Sequence, residues 1–516
     1  MKSIVTLIAA ASLLAAPAIA QPPRRYIVKD LGTLPGGTFS QATFVNNKGL
    51  VTGVAIAPDG KQHAVLWQGG RIMDIATPGL GGPNSAPFVV NERGQAVGQA
   101  ESSTKDPNSE NFCGYGTGLN CLPVLWQDGV MTQLPMTLGG NNGSASAINN
   151  RGEVAGIEEN STRDPKCAPG VAVNGTGPQV LDYEAVIWGP KPGEKRTLLP
   201  LNYGQVNGDT VGMAFWINDN GQVAGSSGSC ATTVLPPFVA GEHAVLWEKD
   251  GSVTSLGNLG GRINTASLGI GNHAFSINNR GQVVGLSALP GDTAGTPSTT
   301  IHAFLWTREK GIGCADTGLN GCMRDLGTLS GDVNSAGFSI NDRGEVVGVS
   351  VDGSVATGNI RPFLWQNGVM KDLNTLILGD SPFLSLLYAS GINDVGEIAG
   401  FGLQKSTCGD PSTCEVHAFL ATPAGTTASA GPKNSTVIAR QITLDGTASF
   451  STDGKPLTYL WSIPQGSPSA AILHGTTANP EVQFASGRNA YIFQLTVTDS
   501  AGTSATDLVT VNFQGN

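Results

Sequence analysis

The sequence predicts an all-β protein: a seven-bladed β-propeller closed by its own N-terminal strand, followed by a small β-sandwich. Three observations predict it. The pattern Ile/Val-Asn-x-x-Gly-x-Val-x-Gly recurs with minor variation at Asn46, Asn91, Asn149, Asn218, Asn278, Asn341 and Asn393. Short β-rich runs between Gly, Asn and Asp turns fill the chain in place of long amphipathic helical periods. The repeat is also offset from its ends by one strand, as a ring sealed by its termini requires. Self-similarity at such a period marks a repeat array, and repeated residues build scaffold before they build a site.

Taken in order, Met1–Ala20 reads as a secretory signal. Lys2 supplies the positive start, Ile4–Leu14 the short apolar stretch and Ala18-Ile19-Ala20 a small-x-small cleavage site. That stretch is short for a membrane span and no later run qualifies, so no span is expected. With 516 residues, the chain has room for one large repeat domain and a small one. Its net charge of −10 argues against general nucleic-acid affinity and offers no polybasic patch for anionic lipid.

Residues 336–373 show one repeat clearly. Ala336–Asn341 is a first strand, Asn341-Asp342-Arg343-Gly344 a tight turn, and Glu345–Val349 a second strand. Arg361–Trp365 is a third strand, Gln366-Asn367-Gly368 a turn, and Val369–Leu373 a fourth. Four antiparallel strands are the content of a propeller blade. Trp67, Trp126, Trp188, Trp247, Trp306 and Trp365 follow the period in steps of 59, 62, 59, 59 and 59. The seventh copy, His417–Ala421, carries Ala at the Trp position. Tyr26–Gly32 is a fourth strand without a preceding blade, and the seventh copy ends after its third strand near Thr422. Pairing the two completes seven blades and leaves no open seam. An open solenoid is the alternative, but it has no need of the offset.

The segments His302-Ala303-Phe304-Leu305-Trp306, His63-Ala64-Val65-Leu66-Trp67 and His243-Ala244-Val245-Leu246-Trp247 recur with Asp30-Leu31-Gly32-Thr33-Leu34 and Asp325-Leu326-Gly327-Thr328-Leu329. Over residues 26–422 the chain resembles the HAF family of bacterial extracellular repeat proteins. The resemblance implies an exported repeat protein and carries no chemistry to transfer.

The pattern stops after Thr422. Residues 423–433 read as a linker, and residues 434–516 as a β-sandwich. Leu444-Asp445-Gly446, Asp453-Gly454, Leu457–Trp461 and Thr498–Gly502 make this part similar to PKD-type immunoglobulin-like domains. It departs from them at Pro464-Gln465-Gly466, where a Gly-Asp-Gly turn is common. Such modules imply a spacer or adhesion unit, with Trp461 as the core residue.

Eight cysteines suit an oxidising compartment. Local disulfides are expected for Cys113/Cys121, Cys314/Cys322 and Cys408/Cys414. A bridge between neighbouring repeats is expected for Cys167/Cys230. Zinc is the weaker reading, because no CxxC pair exists.

His63, His243, His302 and His417 share one repeat position, which favours a structural hydrogen bond over catalysis. His273 and His474 stand alone. The Trp series reads as blade core more readily than as sugar platforms. Asn218-Asp219-Asn220-Gly221 invites calcium but lacks the spaced acids of an EF-hand loop. Gly36-Gly37, Gly139-Gly140 and Gly260-Gly261 lack the Lys-Ser/Thr and helix of a phosphate loop.

Insertions between second and third strands run at about 102–120, 158–182, 227–242, 289–300 and 404–415. They are expected to crowd one face, where variable loops carry function. Asp106, Glu110, Glu158, Glu159, Asp164, Asp182 and Asp292 lie in them. They are expected to form a solvated acidic surface, with paired-carboxylate glycoside chemistry as the alternative. The sequence therefore predicts an exported, non-enzymatic interaction protein without a cofactor, presenting its loops to a glycan or surface polymer. A polysaccharide lyase or hydrolase, and a structural envelope component, remain the other readings.

Overall fold

The computed structural model describes residues 24–516 except 77–78, 164–178, 206–207, 230–232, 236–237, 240–242, 262–271, 291–299, 310–320, 354–358, 410–413, 452–454, 486, 501 and 516. The expected signal segment and Cys167, Cys230 and Cys314 lie outside the described residues, as do Asp164, Asp292 and Asp453-Gly454. Among the described residues the fold is all-β, with two 3-10 turns at Leu373–Leu376 and Lys405–Thr407. Among the described residues, no helix is long and apolar enough to cross a membrane.

Seven four-stranded antiparallel sheets follow the seven repeats. Sheet one is Ser40–Val45, Val51–Ile56, Gln62–Gln68 and Arg71–Asp74. Sheets two and three begin at Gly81–Val90 and Gly139–Ile148. Sheets four, five and six begin at Val211–Ile217, His273–Ile277 and Asn334–Ile340. Sheet seven is Phe383–Ile392, Ile398–Gln404 and Val416–Pro423, completed by Tyr26–Gly32. The N-terminal strand pairs antiparallel with Val416–Pro423, from Tyr26 opposite Pro423 to Gly32 opposite Ala418. Arg24 extends this seam with a 3.0 Å bond to Glu345 of sheet six.

The recurrent asparagine has two jobs. Its Oδ1 accepts backbone N–H groups two and four residues on, as Asn46 does from Lys48 and Leu50. Its Nδ2 donates to the carbonyl oxygen of the next repeat's asparagine. The bonds run Asn46 to Asn91, Asn149, Asn218, Asn278, Asn341 and Asn393, and from Asn393 back to Asn46, at 2.9–3.1 Å. All seven asparagines are buried, so each bond satisfies groups that water cannot reach.

In sheets one, three and four the last glycine of the motif sits under the repeat's tryptophan. A Cβ on Gly53 would lie 2.0 Å from the Gln41 carbonyl oxygen and 2.7 Å from the Trp67 ring. The indoles of Trp67, Trp188, Trp247 and Trp306 are almost fully buried. Trp126 is half-buried instead. The Trp188 and Trp247 indole N–H groups donate across to the Pro135 and Leu199 carbonyls of the preceding connection.

The C-terminal part forms two sheets. One orders Asn434–Val437, Ser504–Phe513, Asn489–Asp499 and Leu457–Ser462; the other orders Gln441–Thr443, Glu481–Phe484 and Ala470–Leu473. Trp461, Tyr491, Phe493 and Phe513 fill the space between them. The segment expected as a linker is packed: Thr426–Thr427 pairs with Phe450–Ser451, and Ala428 and Ala430 are buried in the same core. Their small side chains let the backbone lie close to the sandwich. Arg343 donates to the Ala428 carbonyl at 2.8 Å, and the Lys433 backbone N–H donates to Asp342 at 3.3 Å. These contacts dock the sandwich beside the turn of sheet six.

Candidate functional site

In each four-stranded sheet the asparagine turn joins strands one and two, and the insertion joins strands two and three at the opposite end. The insertion of sheet two is braced by a Cys113–Cys121 disulfide with a Cα–Cα separation of 5.3 Å. That of sheet seven is braced by Cys408–Cys414, with a separation of 4.3 Å. Cys322 is also disulfide-bonded.

The loop carboxylates are not the solvated surface expected of them. Asp106, Glu110, Glu158, Glu159 and Asp182 are all buried. The reason is local: the insertion folds back, and its carboxylates satisfy backbone N–H groups that would otherwise be stranded. Asp106 Oδ1 accepts from the N–H groups of Asn108 and Glu110. Glu110 Oε1 accepts from Val180 and Leu181, reaching from sheet two to sheet three. Glu159 Oε2 accepts from the Asn141 and Asn142 backbones. The fully buried Asn142 carboxamide then bridges Asp106 and Glu159 at 3.0 Å each. Glu158 faces the other way and pairs with Lys195 at 2.5 Å.

Asp106, Glu110 and Glu159 place one carboxylate oxygen each within 4.8 Å of one another. These three could hold a cation by their donor type. Without one, burial and the Glu110 charge push Glu159 up to about 8. Burial raises Glu110 as well. Three carboxylates this close cannot all ionise, so a retained proton stabilises the cluster. Carboxylates saturated by N–H donors hold a loop in shape; they are poorly placed to activate water.

The shared histidine position makes a repeated hydrogen bond. His63 meets Asp74 at 2.7 Å, His243 meets Asp209 at 3.0 Å, His302 meets Asp325 at 2.9 Å and His417 meets Asp30 at 2.9 Å. Arg361 takes the place in sheet six and reaches Asp332 at 2.7 Å. Glu184 takes it in sheet three, where burial raises it to about 7. His273 differs: it is buried, hydrogen-bonded to Ser226 at 2.8 Å and stacked on Phe275, and burial lowers it to about 4.

Three features escaped sequence reasoning. Asn142 and the buried Glu101 are hubs of the loop network, the latter accepting from Asn84 at 2.7 Å. Their signal was the paired glycines: a Cβ on Gly82 or Gly140 would lie 2.4 or 2.2 Å from the Cβ of Glu101 or Glu159. Those pairs let one strand lie flat on the next. The third feature is a row of half-exposed aromatic rings. Phe215, Phe275, Phe338, Tyr388 and Phe401 follow one another across sheets four to seven at centroid spacings of 5.4, 5.9, 5.7 and 4.8 Å. Phe215, Phe275 and Phe338 each stand three residues before a turn asparagine, a position visible in the repeat but not singled out.

Residues 430–513 match the family model described as K319L-like, PKD domain. The C-terminal part is therefore a PKD domain. No curated protein matches the chain. Among solved structures, a PKD domain from the KIAA 1837 protein is 28% identical over 17% of this chain and 86% of its own, at a TM-score of 0.15. A puromycin-hydrolysing peptidase from Mycobacterium tuberculosis is 11% identical over 91% of this chain and 61% of its own, at 0.39. The extracellular domain of a hybrid two-component system from B. thetaiotaomicron is 7% identical over 95% and 58%, at 0.36. The chain spans less than two thirds of the length of these last two.

Proposed function

We propose that this chain is an exported, non-enzymatic binding protein whose seven sheets are the blades of a closed propeller. The PKD domain extends or attaches it, and the ligand is a glycan or another surface polymer. The observation that carries this reading is the aromatic row from Phe215 to Phe401. The partly exposed rings run from edge-to-face at Phe215/Phe275 to stacked at Phe338/Tyr388 and Tyr388/Phe401, so the row offers apolar ring edges to sugar C–H groups, and it costs little ordering on binding because the rings are already packed. The braced insertions, at the end of the sheets opposite the turns, offer further polar contacts. The PKD domain and the disulfides support an extracellular setting. Four of the carboxylates that the lyase or hydrolase reading would use, Asp106, Glu110, Glu158 and Glu159, are committed to N–H and ammonium donors, which favours binding over that reading; Asp164 and Asp292 lie outside the described residues.

The test is retention of the purified protein on peptidoglycan and a panel of insoluble polysaccharides, with mass spectrometry of the supernatant. Retention without released sugars, lost in Phe275→Ala/Phe338→Ala, is expected. Released oligosaccharides would revive the enzyme reading; no retention on any polymer would overturn the glycan reading.

A further inference from the structure

The turn end of the sheets carries a second ring outside the asparagine ring. Each residue following the turn asparagine donates its backbone N–H to the side chain of its counterpart in the next sheet. The order is Asn47, Glu92, Asn150, Asp219, Asn279, Asp342, Asp394 and back to Asn47, at 2.7–2.9 Å. Inside this rim is a cavity of about 110 Å³. Phe44 of sheet one and Trp216 of sheet four also line it and meet edge-to-face with ring centroids 5.1 Å apart.

The ring position needs only one side-chain oxygen, and asparagine supplies it at Asn47, Asn150 and Asn279. Glu92, Asp219, Asp342 and Asp394 do the same job with a carboxylate; the second oxygens of Asp219, Asp342 and Asp394 accept the Asn150, Asn279 and Asn47 amides, and the rim gathers four acidic groups around one cavity. The lining contains no Lys, Arg or His. The Lys48 ammonium donates to the Glu92 carbonyl at 2.7 Å and the Arg151 guanidinium to the Asp219 carbonyl, so both are held on backbone oxygens. The rim N–H groups are spent within the ring, and the Asn47, Asn150 and Asn279 amide groups already donate to rim carboxylates. The cavity therefore offers a ligand oxygen acceptors and aromatic surface.

We infer that this cavity binds a small organic cation of the alkylammonium class, with its charge among Glu92, Asp219, Asp342 and Asp394 and its apolar groups against Trp216 and Phe44. Phe44 and Trp216 pack against the cores of the sheets and also line the cavity; a hard metal ion would use the oxygens alone, whereas an alkylammonium uses the oxygens and the aromatic surface. The site stands at the opposite end of the sheets from the insertions, and its test does not depend on glycan binding.

The test is calorimetric titration of the purified protein with tetramethylammonium chloride at pH 8, against sodium and calcium chloride at equal ionic strength. Saturable binding of tetramethylammonium at one site is expected. Glu92→Gln/Asp219→Asn should weaken it at least roughly tenfold, since both charges act at short range in a partly enclosed site. Both substitutions keep an oxygen for the ring N–H, but Asp219→Asn replaces the acceptor of the Asn150 amide with a donor, so the melting temperature of each variant is measured alongside to separate lost binding from lost fold. Should the double variant unfold, Asp219→Asn alone, at a position where other repeats carry Asn, gives the same readout. Trp216→Phe should remove the fluorescence change that accompanies binding. Saturation by calcium with no response to tetramethylammonium would overturn the assignment. So would equal responses to sodium and tetramethylammonium, or no saturable binding at all.

Discussion

Asn393 donates its side-chain amide to the carbonyl oxygen of Asn46 at 2.9 Å, across 347 residues of sequence. The six equivalent bonds join neighbouring repeats, and this one joins the last to the first. Asn393 also holds its own turn by accepting the Glu397 N–H at 2.8 Å. Asn393→Ala strands the buried Glu397 N–H and takes one of two donors from the Asn46 carbonyl, which keeps the Gly49 N–H at 3.1 Å, and is expected to destabilise the protein by about 1–3 kcal/mol. Urea unfolding monitored by tryptophan fluorescence measures it; a loss under about 0.5 kcal/mol would show the ring bond to be incidental.

The N-terminal strand supplies the fourth strand of sheet seven. Removing residues 24–33 exposes the edge of Val416–Pro423, deletes the fully buried Tyr26 and breaks the Arg24–Glu345 bond. A lower, broader melting transition is expected by differential scanning calorimetry, because an unpaired edge and an opened core both weaken cooperativity. An unchanged transition would refute the closing role of this strand.

Gly156 is closely packed between its paired strand and the tryptophan of its repeat. A Cβ there would sit 2.2 Å from the Ser144 carbonyl oxygen and 2.8 Å from the Trp188 ring, and neither the paired strand nor the buried indole can retreat. Gly156→Ala is expected to cost about 3 kcal/mol. Gly193→Ala probes turn strain instead: its φ is +80° and nothing lies within 4 Å of the added methyl. It should cost about 1 kcal/mol. Equal costs at the two positions would remove the packing argument.

Acid groups raised by burial make the fold sensitive to alkali. Glu159 titrates near 8 and Glu92 and Asp342 near 7, all above their ordinary values of 4.5, 4.5 and 3.8. The folded state therefore binds these protons more tightly than the unfolded chain. The stability they confer is complete below their unfolded values and is lost as pH rises through 7 to 8. His417, raised by Asp30 and Glu415 against the effect of its burial, loses its contribution in the same direction. The melting temperature should be higher at pH 5.5 than at pH 8.5, and Glu159→Gln should flatten the difference. A melting temperature that rises toward pH 8.5 would contradict the assignment.

Reduction tests the loop brace. Non-reduced peptide mapping should recover Cys113 joined to Cys121, and Cys113→Ser/Cys121→Ser should lower stability by about 2 kcal/mol. Free thiols at these positions would remove the brace from the binding argument.

Much of the scaffold was legible because it repeats. Seven asparagine turns, the tryptophan period and the four-strand count could be read from spacing, since each depends on neighbours in the same repeat. The N-terminal strand's partner was legible by counting. The carboxylates were misread, because Asp106 and Glu159 look like any polar loop residues. Their burial depends on Asn142 and on N–H groups at 141, 142, 180 and 181 that meet only when two sheets pack. The segment at 426–430 was misread for a like reason: its small residues suit a linker and a close-packed strand equally.

By itself, the sequence determined what local chemistry determines: all-β units, turn positions, a C-terminal sandwich and cysteines paired at short range. Only the tertiary structure decided which side chains share a space. Glu92, Asp219, Asp342 and Asp394 stand about one repeat or more apart in the chain, yet line one cavity above Phe44 and Trp216. Phe215 to Phe401 become a row only when sheets four to seven stand side by side. The physical reason is range: hydrogen bonds within a turn are written in adjacent residues, whereas burial and the juxtaposition of like charges arise only after distant segments have packed.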